Sequence, residues 1–314
     1  MRLWRRQLIQ KKASSTAMNS MLRLTAAAAL ACTSGAACSD DPRTTAEVME
    51  SLQASDWRVP DPENLMVMQL ADGVVVMELA PGFAPDNVAN IKTLVHEKYF
   101  DGLAIIRSQD NYVVQWADPA EEESQPKSIG SATATVPAEF QRSSDDVQIT
   151  AIESRDAYAT IVGFTDGFPA GSDGEHAWLT HCYGMVGVAR GNETDSGNGS
   201  SLYVITGHAP RHLDRNITLV GRVLSGIELL SVLPRGTGPL GFYESAEEYT
   251  PIVTVRMGDS VAAKQHAQIE VLRTDTEAFS DYVASRTFRN EDWFIEPTGR
   301  IELCNINPPT RSME

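Results

Sequence analysis

The 314 residues carry 42 acidic against 26 basic side chains, a formal net charge of −16, with 42% hydrophobic and 22% charged residues. That is the composition of an ordinary globular protein, long enough for one large domain or two modest ones. The acidic excess argues against nucleic-acid partners and anionic membrane surfaces, both of which would repel it.

The charge is unevenly placed. The first 37 residues hold six basic side chains (Arg2, Arg5, Arg6, Lys11, Lys12, Arg23) and no acid, so the remainder carries a net charge near −22. The basic start precedes a short apolar run, Leu24–Ala31 (LTAAAALA), and then small residues up to Cys38. The run is too short to span a bilayer, so no stable membrane insertion is expected. Basic, apolar and small-residue regions in that order predict a secretory signal peptide over residues 1–37 and an exported, periplasmic protein, with Met18 and Met21 as further possible starts. GAAC before Cys38 weakly resembles a bacterial lipoprotein processing site. The leucine usual three residues before the cysteine is missing, which leaves lipid anchoring the lesser alternative.

Residues 38–64 are polar, with Asp-Pro steps at 41–42 and 61–62, and read as a linker holding one short helix near Thr45–Gln53. From 65 to 260 the texture is that of strands. Val74–Leu79 is β-branched, with Asp72-Gly73 before it as a turn. Pro85-Asp86 opens a helix with Val88, Ile91, Leu94 and Val95 at helical spacing. Ala104–Pro119 (AIIRSQDNYVVQWADP) is strand-like but holds an arginine, Arg107, and a glutamine, Gln115. Further strands are expected over Asp156–Thr165, Gly184–Ala189, Leu202–Ile205 and Thr218–Leu224, with Gly167–Gly174 and Gly191–Ser200 as loops. A second helix carries Ile227, Leu230 and Leu233. Many short strands with glycine turns and only two good helices predict a mainly β fold, a closed antiparallel β-barrel capped by two helices. The tail, 261–314, reads as a C-terminal strand-helix extension packed on the barrel. It has a strand at Ile269–Leu272, a helix over Thr274–Arg289 capped by Thr274 or Asp275, and an apolar anchor at Trp293-Phe294-Ile295.

Cys182 and Cys304 lie far apart and read either as the disulfide of an exported protein or as two buried thiols. Gly236–Gly241 spells G-x-G-x-x-G, but a helix precedes it, and Pro239 and Phe242 break up the residues on its far side. A dinucleotide site needs a strand before the glycines and a helix after them. His208 and His212 are four apart, yet Pro210 between them opposes the helix that would align their rings. No G-x-S-x-G elbow marks a serine hydrolase. No metal and no cofactor is expected.

Taken alone, Arg107 reads as a solvated strand arginine, and Tyr112 and Val113 as core. Taken together, VVVMEL, NVANIKTLV and YFDGLAIIRSQDNYVVQWADP resemble the cyclophilin family of peptidyl-prolyl isomerases, in a divergent, exported bacterial branch. Ile105-Ile106-Arg107 stands where the family has F-H-R. Tyr112 to Asp118 stands at its F-M-x-Q-G-G-D. Gly184–Arg190, Gly199–Thr206, His212-Leu213-Asp214 and Gly221–Val223 keep the family's order. The likeness runs over roughly Val67–Val255, with an insertion around 141–180 relative to compact members. The resemblance implies that Arg107 is the catalytic arginine and that Tyr112, Val113, Tyr203 and Leu213 line a proline pocket. It implies that Gln115 bonds the substrate backbone, that Ala189 is a small subsite residue, and that Arg190 stands at a backbone-contacting asparagine and His212 at a pocket tryptophan. Ile217 and Ser201 replace a histidine and a glutamine. The implied partner is a proline-containing polypeptide and the implied activity is rotation about X-Pro bonds. The departures keep a second reading open: a proline-segment binding module or chaperone with little turnover.

Overall fold

The computed structural model describes residues 42–120 and 125–313. The signal peptide, both Met starts, Cys38 and the centre of the 120–131 loop lie outside the described residues.

The main sheet has nine strands in the order Thr250–Pro251, Ala104–Ser108, Val113–Ala117, Leu202–Ile205, Met185–Val188, Leu219–Ser225, Gly73–Leu79, Leu65–Leu70, Thr254–Met257, and every paired neighbour is antiparallel. The expected closed barrel is corrected to a sheet curled into an open half-barrel, since its two edge strands do not pair with each other. Both edges belong to one bent segment. Its first half pairs with Ala104-Ile105 and its second with Met66–Gln69. A bidentate ion pair pins that seam: Arg256 Nη1 and Nη2 donate to Asp101 at 2.7 and 2.8 Å, and the Val255 N–H donates to the same carboxylate at 3.1 Å.

Burial pushes the Asp101 carboxyl up, but the Arg256 and Val255 hydrogen bonds outweigh it and hold it below the ordinary carboxylate value. A depressed folded-state pKa gives stability that is present above the unfolded value, near 3.9, and is lost as pH falls through the folded one. Asp101→Asn is therefore expected to flatten the acid limb of a stability-against-pH curve measured by urea unfolding below pH 4, and to leave its shape near neutrality unchanged.

Alternation sorts the barrel's side chains. Ile105, Val114, Trp116, Val186, Leu202 and Val204 point inward to one core with Met77 and Ile91. The Pro85–His96 helix covers one opening, its first turn capped by Glu139, which accepts from the N–H groups of Asp86 and Asn87 at 3.0 and 2.9 Å. The second helix is short, Ile227–Ser231, and Pro234 follows it closely.

Val113, Met185, Tyr203 and Ile205 point outward instead, into a second core with Phe164, Phe168, Leu179, Phe279 and Trp57. That core is the underside of a second layer. Residues 142–179 form a five-stranded sheet, in the order Arg142–Ser143, His176–Leu179, Phe168–Ser172, Ile161–Thr165, Thr150–Ala151. The loop expected at Gly167–Gly174 is in fact the fully buried central strand Phe168–Ser172. Its Pro-Ala-Gly-Ser run reads as a turn, yet only small residues fit there: a Cβ on Gly171 would meet the Trp178 indole at 3.1 Å.

The short helix expected near Thr45–Gln53 is present, and the rest of residues 42–64 is ordered as well. Thr45–Ser51 is a helix with a Thr44/Glu47 capping box, and Trp57-Arg58 pairs with Ile269–Leu272, which pairs in turn with Thr310–Ser312. Arg58 donates to both Glu78 oxygens, at 2.6 and 2.9 Å, tying this segment to the barrel. The tail helix is Glu277–Thr287, and its cap is Thr276, not Thr274 or Asp275, because the Thr276 hydroxyl accepts from the Phe279 N–H. The expected anchor is not one: Trp293 and Ile295 are 80% and 97% exposed. The tail is held by Phe279, Tyr282 and Leu303 and by a disulfide between Cys182 and Cys304.

Candidate active site

The backbone itself aims Arg107. Ile105 faces the barrel interior opposite Trp116, so strict alternation would send Arg107 inward as well. A β-bulge between Ile105 and Arg107 inserts one residue and re-registers Arg107 against Gln115. Bulges re-aim side chains in this way. Gln115 pairs in turn with Tyr203, and Tyr203 with Gly187. Arg107, Gln115 and Tyr203 thus form one row across three strands on the sheet's outer face, with Val113 two residues along from Gln115 on that face.

The guanidinium is half-buried and closely held. Its Nε donates to the Leu240 carbonyl at 2.8 Å, Nη1 to Gln115 Oε1 at 3.0 Å, and Nη2 to Gln109 Oε1. The rings of Phe242 and Tyr112 lie 5.0 and 5.7 Å from its central carbon. Burial lowers its pKa below the ordinary arginine value, but an arginine stays charged. A guanidinium has five N–H groups. Three are engaged, which leaves one on each Nη for a ligand. Gln115 is oriented from its other end, where Nε2 donates to the Ser201 hydroxyl at 3.1 Å.

Tyr203 is buried and its hydroxyl lies 3.1 Å from His181 Nε2. Burial keeps that phenol protonated, its pKa raised well above the usual value. Gly187 makes room for the ring, since a Cβ there would sit 2.2 Å from it. Gly187→Ala is expected to displace Tyr203, at an overpacking cost of about 1–3 kcal/mol seen as a lower urea midpoint, and to weaken binding of a prolyl peptide in a titration.

Leu213 and His212 sit on the one-turn helix Arg211–Leu213, the former half-buried and the latter exposed. Asp214 fastens this turn by accepting from the His181 backbone N–H at 2.9 Å. Ala189 is half-buried beside the same outer core. Arg190 is held by its own loops: its Nε and Nη2 donate to the Asn216 carbonyl and its Nη1 to the Gly191 and Asn192 carbonyls.

Four participants carry no site signal in the sequence: Gln109, Leu240, Phe242 and His181. The glycine-rich run 236–241 carries a signal of another kind. It lies alongside the arginine strand through Gly236 N–H to Ser108 O and Tyr243 N–H to Ile106 O. Its Gly241, at φ +76°, packs against Gln109, where a Cβ would be 2.5 Å from the Gln109 Cα. The glycines serve close backbone approach to the Arg107 strand, not a phosphate.

A curled antiparallel sheet that presents an arginine, a glutamine and aromatic walls on its outer face is the architecture of the cyclophilin class. Residues 65–257 match the family described as cyclophilin type peptidyl-prolyl cis-trans isomerase/CLD, and the chain belongs to that family. Probable peptidyl-prolyl cis-trans isomerases of Brucella suis biovar 1 (strain 1330) and Brucella abortus (strain 2308) are 27% and 26% identical over 184 residues, covering 56% of this chain and 74% of each relative. The crystal structure of cyclophilin AquaCyp293 from Hirschia baltica superposes with a TM-score of 0.62 at 26% identity, covering 83% of this chain and 96% of that one. The structural likeness therefore extends past residues 65–257 into the segments that flank them.

Proposed function

We propose that the chain accelerates rotation about X-Pro bonds of exported or unfolded polypeptides at the Arg107 row. The observation that carries this reading is the guanidinium fixed by three acceptors with two N–H groups left over, beside Gln115 and the Tyr203 ring. Amide resonance sets the rotation barrier, about 18–20 kcal/mol. No covalent bond is made or broken, so the catalyst has only to favour the twisted amide over the planar one. A fixed cation near the amide, donating to the proline nitrogen or the flanking carbonyl, does so. Tyr112, Val113, Tyr203 and Leu213 wall the proline ring, and Gln115 holds one flank of its backbone.

Export is supported by the basic and apolar character of residues 1–37 and by the Cys182–Cys304 disulfide, since such bonds persist in oxidising compartments. The alternative, a holder of proline segments with little turnover, draws on Arg190, whose guanidinium is hydrogen-bonded to the carbonyls of its own loops, and on His212 at the family's tryptophan position. Refolding of a proline-limited protein in a protease-free assay separates the two. The isomerase reading expects the slow phase to accelerate in proportion to catalyst at substoichiometric amounts. A holder slows or leaves that phase and needs stoichiometric amounts to act.

A further inference from the structure

Tyr203 is a phenol at the end of a buried polar chain that leads out of the groove. Its hydroxyl meets His181 Nε2 at 3.1 Å, and His181 Nδ1 lies 2.9 Å from Asp214 Oδ1. Asp214 Oδ2 accepts from Arg211 Nε at 2.6 Å, and Arg211 Nη1 and Nη2 donate to the two oxygens of Asp156 at 2.7 and 3.0 Å. The side chains of His181, Arg211, Asp214 and Asp156 are 0, 4, 5 and 4% exposed. Asp156 belongs to the inserted layer, where it also accepts from the N–H groups of Tyr158 and Ala159. Tyr158 closes over the Arg211 guanidinium at 5.2 Å.

The chain has one consistent direction. Asp214 is an arginine-paired carboxylate and only accepts, so His181 Nδ1 carries the proton. Burial holds the imidazole neutral, with its pKa below the ordinary value, and a neutral ring with Nδ1–H has Nε2 as an acceptor. The Tyr203 hydroxyl therefore donates inward. That fixes the rotation of a ring whose apolar face walls the groove, and Gly187 removes the Cβ that would contest the position.

We infer that the inserted layer positions the proline-pocket tyrosine through the chain Asp156–Arg211–Asp214–His181–Tyr203, so that residues 141–180 set the affinity of the groove for prolyl substrates. Tyr203, Gln115 and Arg107 touch the substrate; His181, Asp214, Arg211 and Asp156 are positioning residues. The inference rests on the isomerase reading of the groove for its rate readout, and on the groove alone for its binding readout.

A double-mutant cycle between Asp156→Asn and Tyr203→Phe tests it, with kcat, KM and peptide Kd measured separately. Linked members of one network couple, whereas independent ones add. Asp156→Asn is expected to raise KM and Kd by about fivefold in the parent, with kcat little changed, and to have no further effect once Tyr203→Phe has cut the chain. An equal loss in both backgrounds, or none in either, would overturn the inference. If Asp156→Asn does not fold, the 15N spectrum of the parent's imidazoles decides. His181 as the neutral Nδ1–H tautomer supports the inward-donating chain, and His181 as the Nε2–H tautomer or an imidazolium at neutral pH contradicts it. A parent that binds the peptide without turning it over would sink the isomerase reading while the Kd cycle still judged this one.

Discussion

Arg107→Ala should cut kcat/KM for prolyl isomerisation by one to two orders of magnitude while leaving the thermal midpoint within a few degrees of the parent's. A charge-assisted hydrogen bond is worth about 1.5–3 kcal/mol, and each 1.36 kcal/mol is about tenfold in rate. The effect should fall on kcat more than on KM, because the interaction strengthens as the amide twists. Arg107→Lys keeps the charge but not the fork, so it cannot satisfy Leu240, Gln115 and Gln109 together and still present two donors. It is expected to sit closer to the alanine variant than to the parent. A lysine variant with near-parental kcat would mean that charge alone suffices and that the three-point hold is incidental.

Reducing the Cys182–Cys304 disulfide, or replacing Cys304 by serine, should cost more stability than Asp101→Asn, Gly187→Ala or Arg107→Ala. The bond closes 122 residues of chain. Chain-entropy estimates for a loop of that size come to about 4–5 kcal/mol, against about 5–15 kcal/mol for a whole domain. The bond joins the outward face of the barrel, just before Met185–Val188, to the tail near Leu303. Its loss should release the tail and the second core first. The expected result is a thermal midpoint lower by roughly 10 °C under reducing conditions, with early hydrogen exchange in Glu277–Thr287 and later exchange in the barrel strands. A midpoint indifferent to reductant would contradict it.

Much of the barrel is legible in the sequence because its signals are local. Val74–Leu79, Leu202–Ile205 and the Val88–Val95 helix face show their period within a few residues. Arg107 and Gln115 are legible as a pair through the resemblance, but their common direction is not, because it depends on the bulge at Ile106, and a bulge leaves no mark in a string of isoleucines. The Phe168–Ser172 strand is hidden by residues chosen for close packing, which share their letters with turns. The helix at Thr45–Ser51 is legible, but the Trp57-Arg58 strand beside it is not, because its order comes from a strand some 210 residues away, Ile269–Leu272. The His181 chain is invisible for the same reason. Its members are 22, 33 and 55 residues apart, and nothing in the sequence shows that they meet. The glycine-rich run lacks the flanking strand and helix of a cofactor site, but its contact with Arg107 spans 133 residues and can only be seen in the fold.

The central claim is that rotation is driven at the Arg107 row, and exchange NMR on a short X-Pro peptide tests it most directly. With a substoichiometric amount of the protein, cis and trans peptide signals should show exchange cross-peaks on a sub-second timescale, and the resonances of Gln115, Val113 and Tyr203 should shift as peptide is added. Arg107→Ala should keep the shifts and lose the cross-peaks. Cross-peaks that survive in Arg107→Ala, or shifts that map to another face of the sheet, would contradict the account.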